Sequence, residues 1–263
     1  MFTASEKEKF AVHGLIKRHN FLSPEKLANA RQVIFQQLAQ EGLWRDEGWS
    51  LEQYPASTEL TAGMALVKPL NHHPALLDLV SDEVAAAASA LVNARPLFPM
   101  SSHPGLLFTL PNATTWTLPH QNWHVDLPRL PAGDIPGVQI FACLERVEAG
   151  GGGTLAVTGS HRLLNQKGVR RSSTDLRKQL KQERYFAELM ADKTPDRLRF
   201  LRTAGQVGNV ALQVVEMTGE AGDVYFMDLR VLHNVAPNSR PIPRLMLTQR
   251  YLLAASQLAL SGK

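Results

Sequence analysis

The tripeptide His124-Val125-Asp126 constrains the fold of this 263-residue chain more than any other feature. In an extended segment, residues i and i+2 project from the same face. One imidazole and one carboxylate can therefore reach a single metal ion from one short strand. A second imidazole, His233, follows more than a hundred residues later, and Arg244 comes eleven residues after that. If the four groups serve one centre, strands remote in sequence must meet where their inward-facing residues converge, as in the mouth of a β barrel. A His-x-Asp tripeptide alone recurs by chance, so its surroundings decide its weight.

Those surroundings read as strands separated by turns. Val138-Gln139-Ile140-Phe141-Ala142-Cys143-Leu144 is an apolar run with strand character. Four glycines, Gly150 to Gly153, fit a tight connection into Thr154-Leu155-Ala156-Val157, and Thr158-Gly159-Ser160-His161 follows. Gly222-Asp223 is a turn running into Val224-Tyr225-Phe226-Met227-Asp228, and Arg244 to Tyr251 is the last strand. Two imidazoles and a carboxylate on one face of an octahedron are the ligand set of non-haem Fe(II) oxygenases and leave three positions open.

The ordered set resembles the phytanoyl-CoA dioxygenase family of Fe(II)/2-oxoglutarate oxygenases over roughly residues 105–252. The shared pattern is the His-x-Asp pair, a glycine-rich segment ending in Gly-Ser-His (here Gly153 to His161), a Gly-Asp strand, a distal histidine and an arginine shortly after it. Two positions depart from it: Thr158 stands where proline is usual, and Val235 stands where some members carry a hydroxyl that helps hold the cosubstrate. The resemblance implies that His124, Asp126 and His233 are the iron ligands and the catalytic centre. It implies that Arg244 pairs with the distal carboxylate of 2-oxoglutarate, a role that suits a permanently charged, bidentate guanidinium. The implied cofactors are Fe(II), 2-oxoglutarate and O2, with succinate and CO2 released. Related halogenases lack the carboxylate ligand, so Asp126 argues for hydroxylation or another C–H oxidation such as desaturation or ring formation.

Neighbouring residues compete for supporting roles. The Thr154 hydroxyl could reach the cosubstrate, and Thr154 equally suits a plain β-branched strand position. Arg240 lies between Ser239 and Pro241 and reads as a loop residue. Arg250 shares the strand parity of Arg244 but lies about 20 Å further along an extended chain at ~3.3 Å per residue. Arg244 is preferred over both for the cosubstrate. His161 reads as a loop-structuring residue, and Asp228 and Asn238 as turn or supporting residues. His120 and Trp123 face either substrate or the packing.

The expected architecture is mainly β with flanking α-helices, a double-stranded β-helix (jelly roll, cupin-like) forming one domain over residues 1–263. Residues 1–100 form a largely helical support, and 105–252 form the jelly-roll core with a basic, partly helical insertion at about 162–205. Residues 8–19 read as a short helix or an extended lead-in. Ser23-Pro24-Glu25 starts a helix whose Leu27, Ala30, Ile34 and Leu38 share a face and which ends at Gly42. Ser81-Asp82-Glu83 starts another that runs to about Asn93, and Pro96 and Pro99 break the pattern after it. Residues 43–72 read as a loop or lid, and 43–72, 116–123, 127–137 and the insertion are the expected substrate-facing loops.

Charge is uneven. Residues 162–202 hold 12 Lys/Arg against 5 Asp/Glu, a local net of +7, while the remainder carries 16 against 19, a net of −3. Such a segment favours an anionic substrate, and a solvated helical insertion is the plainer reading. No aromatic platform interleaves its charges, so single-strand stacking is poorly supported and nucleic acid is not the expected partner. No apolar run reaches the length of a membrane span. The start lacks the apolar core of a signal peptide, and the lone Cys143 cannot form an internal disulfide, so a reducing cytoplasm is expected. The leading expectation is a dioxygenase acting on a small molecule. The alternatives are a catalytically silent binding protein on the same fold, an oxygenase acting on a macromolecule docked by the basic insertion, and a zinc hydrolase using the same triad.

Overall fold

The computed structural model describes residues 2–52, 63–127, 135–164 and 173–261. Parts of the proposed loops at 43–72 and 127–137 and of the basic insertion lie outside them. Helix α1 (Ala4–His13) is closed by a Thr3–Glu6 capping box and stopped by Gly14 in the left-handed region, φ +70°. The chain then turns into strand β1 (Leu15–Arg18), so the segment expected as a helix or a lead-in contains both a helix end and an edge strand. A Cβ on residue 14 would lie 2.5 Å from His161 Nδ1, which leaves only glycine at this junction.

Helix α2 (Pro24–Gln40) starts at the Ser23 cap and buries Leu27, Ala30, Ile34 and Leu38, the face expected from their spacing. The hairpin of β2 (Trp44–Arg45) and β3 (Gly48–Trp49) then packs back on α2, with Trp44 4.1 Å from the Phe35 ring centre. Both tryptophans therefore serve the helix packing rather than a lid. Short helices α3 (Met64–Val67) and α4 (Pro74–Leu77) lead to α5 (Asp82–Leu91), and β4 (Leu97–Pro99) follows.

The core strands are β5 (Gly105–Thr109), β6 (Gly137–Cys143) and β7 (Leu155–Thr158). After the insertion helices α6 (Ser173–Leu180), α7 (Arg184–Leu189) and α8 (Arg199–Arg202) come β8 (Gly205–Val207), β9 (Val210–Glu216), β10 (Val224–Asp228), β11 (His233–Asn234), β12 (Arg244–Leu253) and helix α9 (Ala254–Ser261). One antiparallel sheet runs β1-β10-β6-β12-β4, with β5 also paired to β12; the other runs β11-β7-β9-β8. The fold is a jelly roll, mainly β with helices on the outside.

Alternation along the central strands sorts residues between two faces. Val138, Ile140 and Ala142 of β6, Val224 and Phe226 of β10, and Leu245 and Leu247 of β12 pack against α2 and its neighbours. The intervening Phe141, Cys143, Tyr225, Met227 and Met246 face the interior between the sheets. Both faces are covered, so every residue of β6 is buried. The same parity points Gln139 of β6, and Arg244, Thr248 and Arg250 of β12, inward. No described helix is long and apolar enough to cross a membrane.

Candidate metal centre

His124 and Asp126 do not lie on a regular strand. His124 instead forms an isolated antiparallel bridge with His233, and the two exchange backbone hydrogen bonds of 3.0 and 2.9 Å. The pairing fixes both imidazoles side by side, with ring centres 4.4 Å apart. Ser160, fully buried in the Gly-Ser-His turn, accepts the Leu232 N–H at 2.9 Å and so anchors the approach to His233. Gly159 is needed there, since its φ is +82° and a Cβ would lie 2.3 Å from the Ala211 carbonyl.

Each histidine donates its Nδ1–H to a backbone carbonyl two residues earlier: His124 to Asn122 at 2.7 Å and His233 to Val231 at 3.0 Å. A carbonyl only accepts, so the neutral rings carry the proton on Nδ1 and turn a lone pair outward at Nε2. Both Nε2 atoms face Asp126 Oδ1, at 3.4 Å from His124 and 3.6 Å from His233. One donor atom from each of the three residues lies within 4.8 Å of the others. Two imidazole lone pairs and a carboxylate oxygen repel unless a cation or an added proton sits among them. A divalent metal with N/O preference fits this donor set.

The other oxygen of Asp126 is fully engaged. Gln139 Nε2 donates to Oδ2 at 2.8 Å and Arg250 Nε at 2.7 Å. Gln139 Nε2 also donates to Thr248 Oγ1 at 3.1 Å, which fixes the amide. Asp126 is thereby held with one oxygen toward the histidines. Burial works to raise its pKa, but hydrogen bonds from His124 and His233, which donate from Nε2 only when the rings carry a second proton, and the charges of His233 and Arg250 outweigh it and hold the carboxyl far below the usual range. The hydrogen bond to Asp126 raises His124 above its ordinary value, against burial, which lowers it.

Arg244 opens into the same cavity of about 190 Å³ as the triad. Arg244 is 3% exposed. It donates to Thr109 Oγ1 at 2.7 Å and to Thr154 Oγ1 at 3.4 Å, and its Nε has no partner. No carboxylate among the described residues pairs with it, and burial pushes its pKa down to about 10. A buried guanidinium backed only by hydroxyls suits the carboxylate of a small acid.

The remaining candidates separate cleanly. Arg250 lines this cavity too, but it is committed to Asp126. Arg240 points away, donating to the Ala149 carbonyl at 2.8 Å. Val235 presents hydrocarbon to the cavity and offers no hydroxyl to a cosubstrate. His161 donates its Nε2–H to the Ala11 carbonyl at 3.0 Å and stays outside the triad. Asp228 pairs with Arg230 at 2.7 Å within a turn. Asn238 is buried and organises the loop before Arg244. Trp123 is fully buried and donates to the Pro119 carbonyl at 3.0 Å, a packing role. Sequence reasoning missed Thr109, Gln139 and Thr248. Their placement depends on pairing such as Arg244 opposite Thr109, which no local pattern announces.

Residues 10–246 match the phytanoyl-CoA dioxygenase (PhyH) family. The chain belongs to the phytanoyl-CoA dioxygenase family. It is a non-haem iron, 2-oxoglutarate-dependent oxygenase, and the triad and its cavity are what that class requires. No curated protein matches the chain. Solved structures share the fold. AviO1 from Streptomyces viridochromogenes Tue57 is 19% identical, with a TM-score of 0.56 and 97% of this chain and 98% of that one covered. The non-heme alpha ketoglutarate dependent carbocyclase SnoK from nogalamycin biosynthesis is 19% identical, with a TM-score of 0.54 and 96% and 85% covered. HygX from Streptomyces hygroscopicus, with nickel and 2-oxoglutarate bound, is 14% identical, with a TM-score of 0.55 and 97% and 88% covered.

Proposed function

We propose that His124, Asp126 and His233 hold the iron, and that Arg244 binds the distal carboxylate of 2-oxoglutarate with Thr109 and Thr154 beside it. We further propose that the protein oxidises a C–H bond of a small molecule in the cytoplasm, hydroxylation being the simplest outcome. The observation that carries the reading is the shared cavity: three convergent donor atoms and one buried guanidinium without a carboxylate partner among the described residues. When bound, iron with 2-oxoglutarate supplies the O2-dependent oxidation and releases succinate and CO2.

The protein's own contribution is position and polarity. The Asn122 and Val231 carbonyls hold the imidazole protons at Nδ1, so each Nε2 stays available as a ligand. Gln139 and Arg250 occupy Asp126 Oδ2, so the carboxylate offers Oδ1 alone and blocks fewer positions on the metal. Met64, Leu107, Phe141 and Val235 give the cavity apolar walls that exclude water from the reacting atoms. The carboxylate at position 126 supports oxygen insertion or another C–H oxidation over halogenation. The single buried Cys143 fits a reducing compartment.

Anaerobic titration of Fe(II) and 2-oxoglutarate into metal-free protein tests this. A visible charge-transfer band that requires both components, and is lost in His124→Ala and His233→Ala, is the expected result. Bound iron with no such band would show that the open face does not accept the oxo acid.

A further inference from the structure

A second cavity, of about 330 Å³, is lined in part by the residues that lead into His124 of the candidate metal centre. One wall is Gln121-Asn122-Trp123, the three residues that run into His124. Asn122 sits in the left-handed region, φ +63°, and it is this residue whose carbonyl accepts the His124 Nδ1–H. Along the chain the lining of one cavity thus gives way to that of the other, Trp123 lining the second and His124 the first.

The opposite wall is a face of α6. Thr174, Arg177, Lys178 and Lys181 line the cavity at i, i+3, i+4 and i+7, one helical stripe. The Lys181 N–H still donates to the Arg177 carbonyl at 3.0 Å, so the helical register carries through it. Leu176 and Leu180, on the other side of the helix, are buried in the cluster with Tyr185 and Phe186. That anchor orients the stripe toward the cavity. Arg177, Lys178 and Lys181 are like charges at adjacent helical positions, which destabilises a helix. Among the described residues, none of them pairs with a carboxylate and no acid lines the cavity with them. Asp192 Oδ1 lies 3.5 Å from Nδ1 of His120, which itself lines the cavity. Three clustered cations around a concave site next to a reaction centre gain stability from a bound oxyanion.

We propose that this cavity is an oxyanion subsite that takes a phosphate or diphosphate group of the substrate. Arg177, Lys178 and Lys181 hold that group, and the 121–123 wall leads the rest of the molecule to the metal centre. The volume falls in the range of small-ligand pockets and is bounded on two sides, which suits a terminal phosphate group rather than a duplex. The assignment of the oxyanion to the substrate rests on the triad being the reaction centre; the binding itself does not.

The test is calorimetric titration of pyrophosphate into the metal-free full chain at fixed ionic strength. Saturable binding is expected. It should weaken about tenfold or more in Arg177→Ala/Lys178→Ala/Lys181→Ala and stay unchanged in His233→Ala, which removes a triad donor outside this cavity. Lys178→Glu, at an exposed position, should weaken it in the same direction and serves if the triple variant does not fold. Because no metal is present, failure of the iron titration leaves this result standing, and failure here leaves the iron reading intact. Absence of saturable binding at millimolar pyrophosphate, or unchanged affinity in folded variants, overturns the subsite. Tighter, steeply salt-dependent binding of a duplex oligonucleotide, lost in the same variants, overturns the small-substrate assignment.

Discussion

Replacing Arg244 by methionine removes a buried cation while keeping much of its volume. Arg244 is 3% exposed, and its guanidinium touches two threonine hydroxyls and has no carboxylate partner among the described residues. If it receives the distal carboxylate of 2-oxoglutarate, truncation leaves that carboxylate buried and unpaired. Losing one partner of a buried, hydrogen-bonded charge pair costs about 2–5 kcal/mol. At ~1.4 kcal/mol per tenfold, the dissociation constant rises by roughly 30-fold to a few thousand-fold. The assay compares 2-oxoglutarate with 2-oxobutanoate, which keeps the chelating end but lacks the distal carboxylate, on metal-loaded protein without oxygen. The wild type should prefer 2-oxoglutarate by about that factor, and Arg244→Met should erase the preference with metal still bound. The metal-free variant should unfold at the same temperature or higher, because an apolar replacement relieves an uncompensated buried charge. Equal weakening of both acids would assign the effect to cavity shape. An unchanged preference would move the carboxylate to another residue.

Three further outcomes follow from neighbouring parts of the structure. Arg250→Met and Gln139→Leu each remove one of the two donors on Asp126 Oδ2 and should lower Fe(II) affinity by about tenfold; unchanged metal titrations would refute the bracing role. Cys143 is fully buried and burial pushes its thiol up to about 12, so thiol reagents should label it only on unfolding; rapid labelling of native protein would contradict the packing. The backbone hydrogen bond from Thr3, aided by Arg18, lowers the Glu6 carboxyl from 4.5 to about 2. A depressed carboxyl contributes stability above its unfolded pKa and loses it as pH falls through the folded one. Wild type should therefore lose stability relative to Glu6→Gln between pH 4.5 and 2, followed by circular dichroism, and parallel profiles would show the capping box to be inert.

Local patterns in the chain anticipated much of this architecture. Leu27, Ala30, Ile34 and Leu38 announced the buried face of α2 by helical spacing, and the apolar run from Val138 announced β6. The first twenty residues were harder. A four-residue strand after a helix stop carries little periodicity, and β1 exists because Met227 and its neighbours on β10 pair with it. The segment 43–72 reads as a loop or lid because a short hairpin and a loop look alike locally; the packing of Trp44 and Trp49 on Phe35 shows that its start is a hairpin.

For the metal centre, the division follows the range of the forces involved. The sequence by itself determined the donor types, the i, i+2 spacing of His124 and Asp126, and the parity that aligns Arg244 with Arg250, because these are properties of a local backbone. Only the tertiary structure decided that His124 bridges to His233, that Thr109 faces Arg244, and that Gln139 and Arg250 share one oxygen of Asp126. Those contacts join residues from 13 to 135 positions apart. Each depends on strand register set by the burial of whole sheet faces, and no residue type or spacing within one segment encodes it.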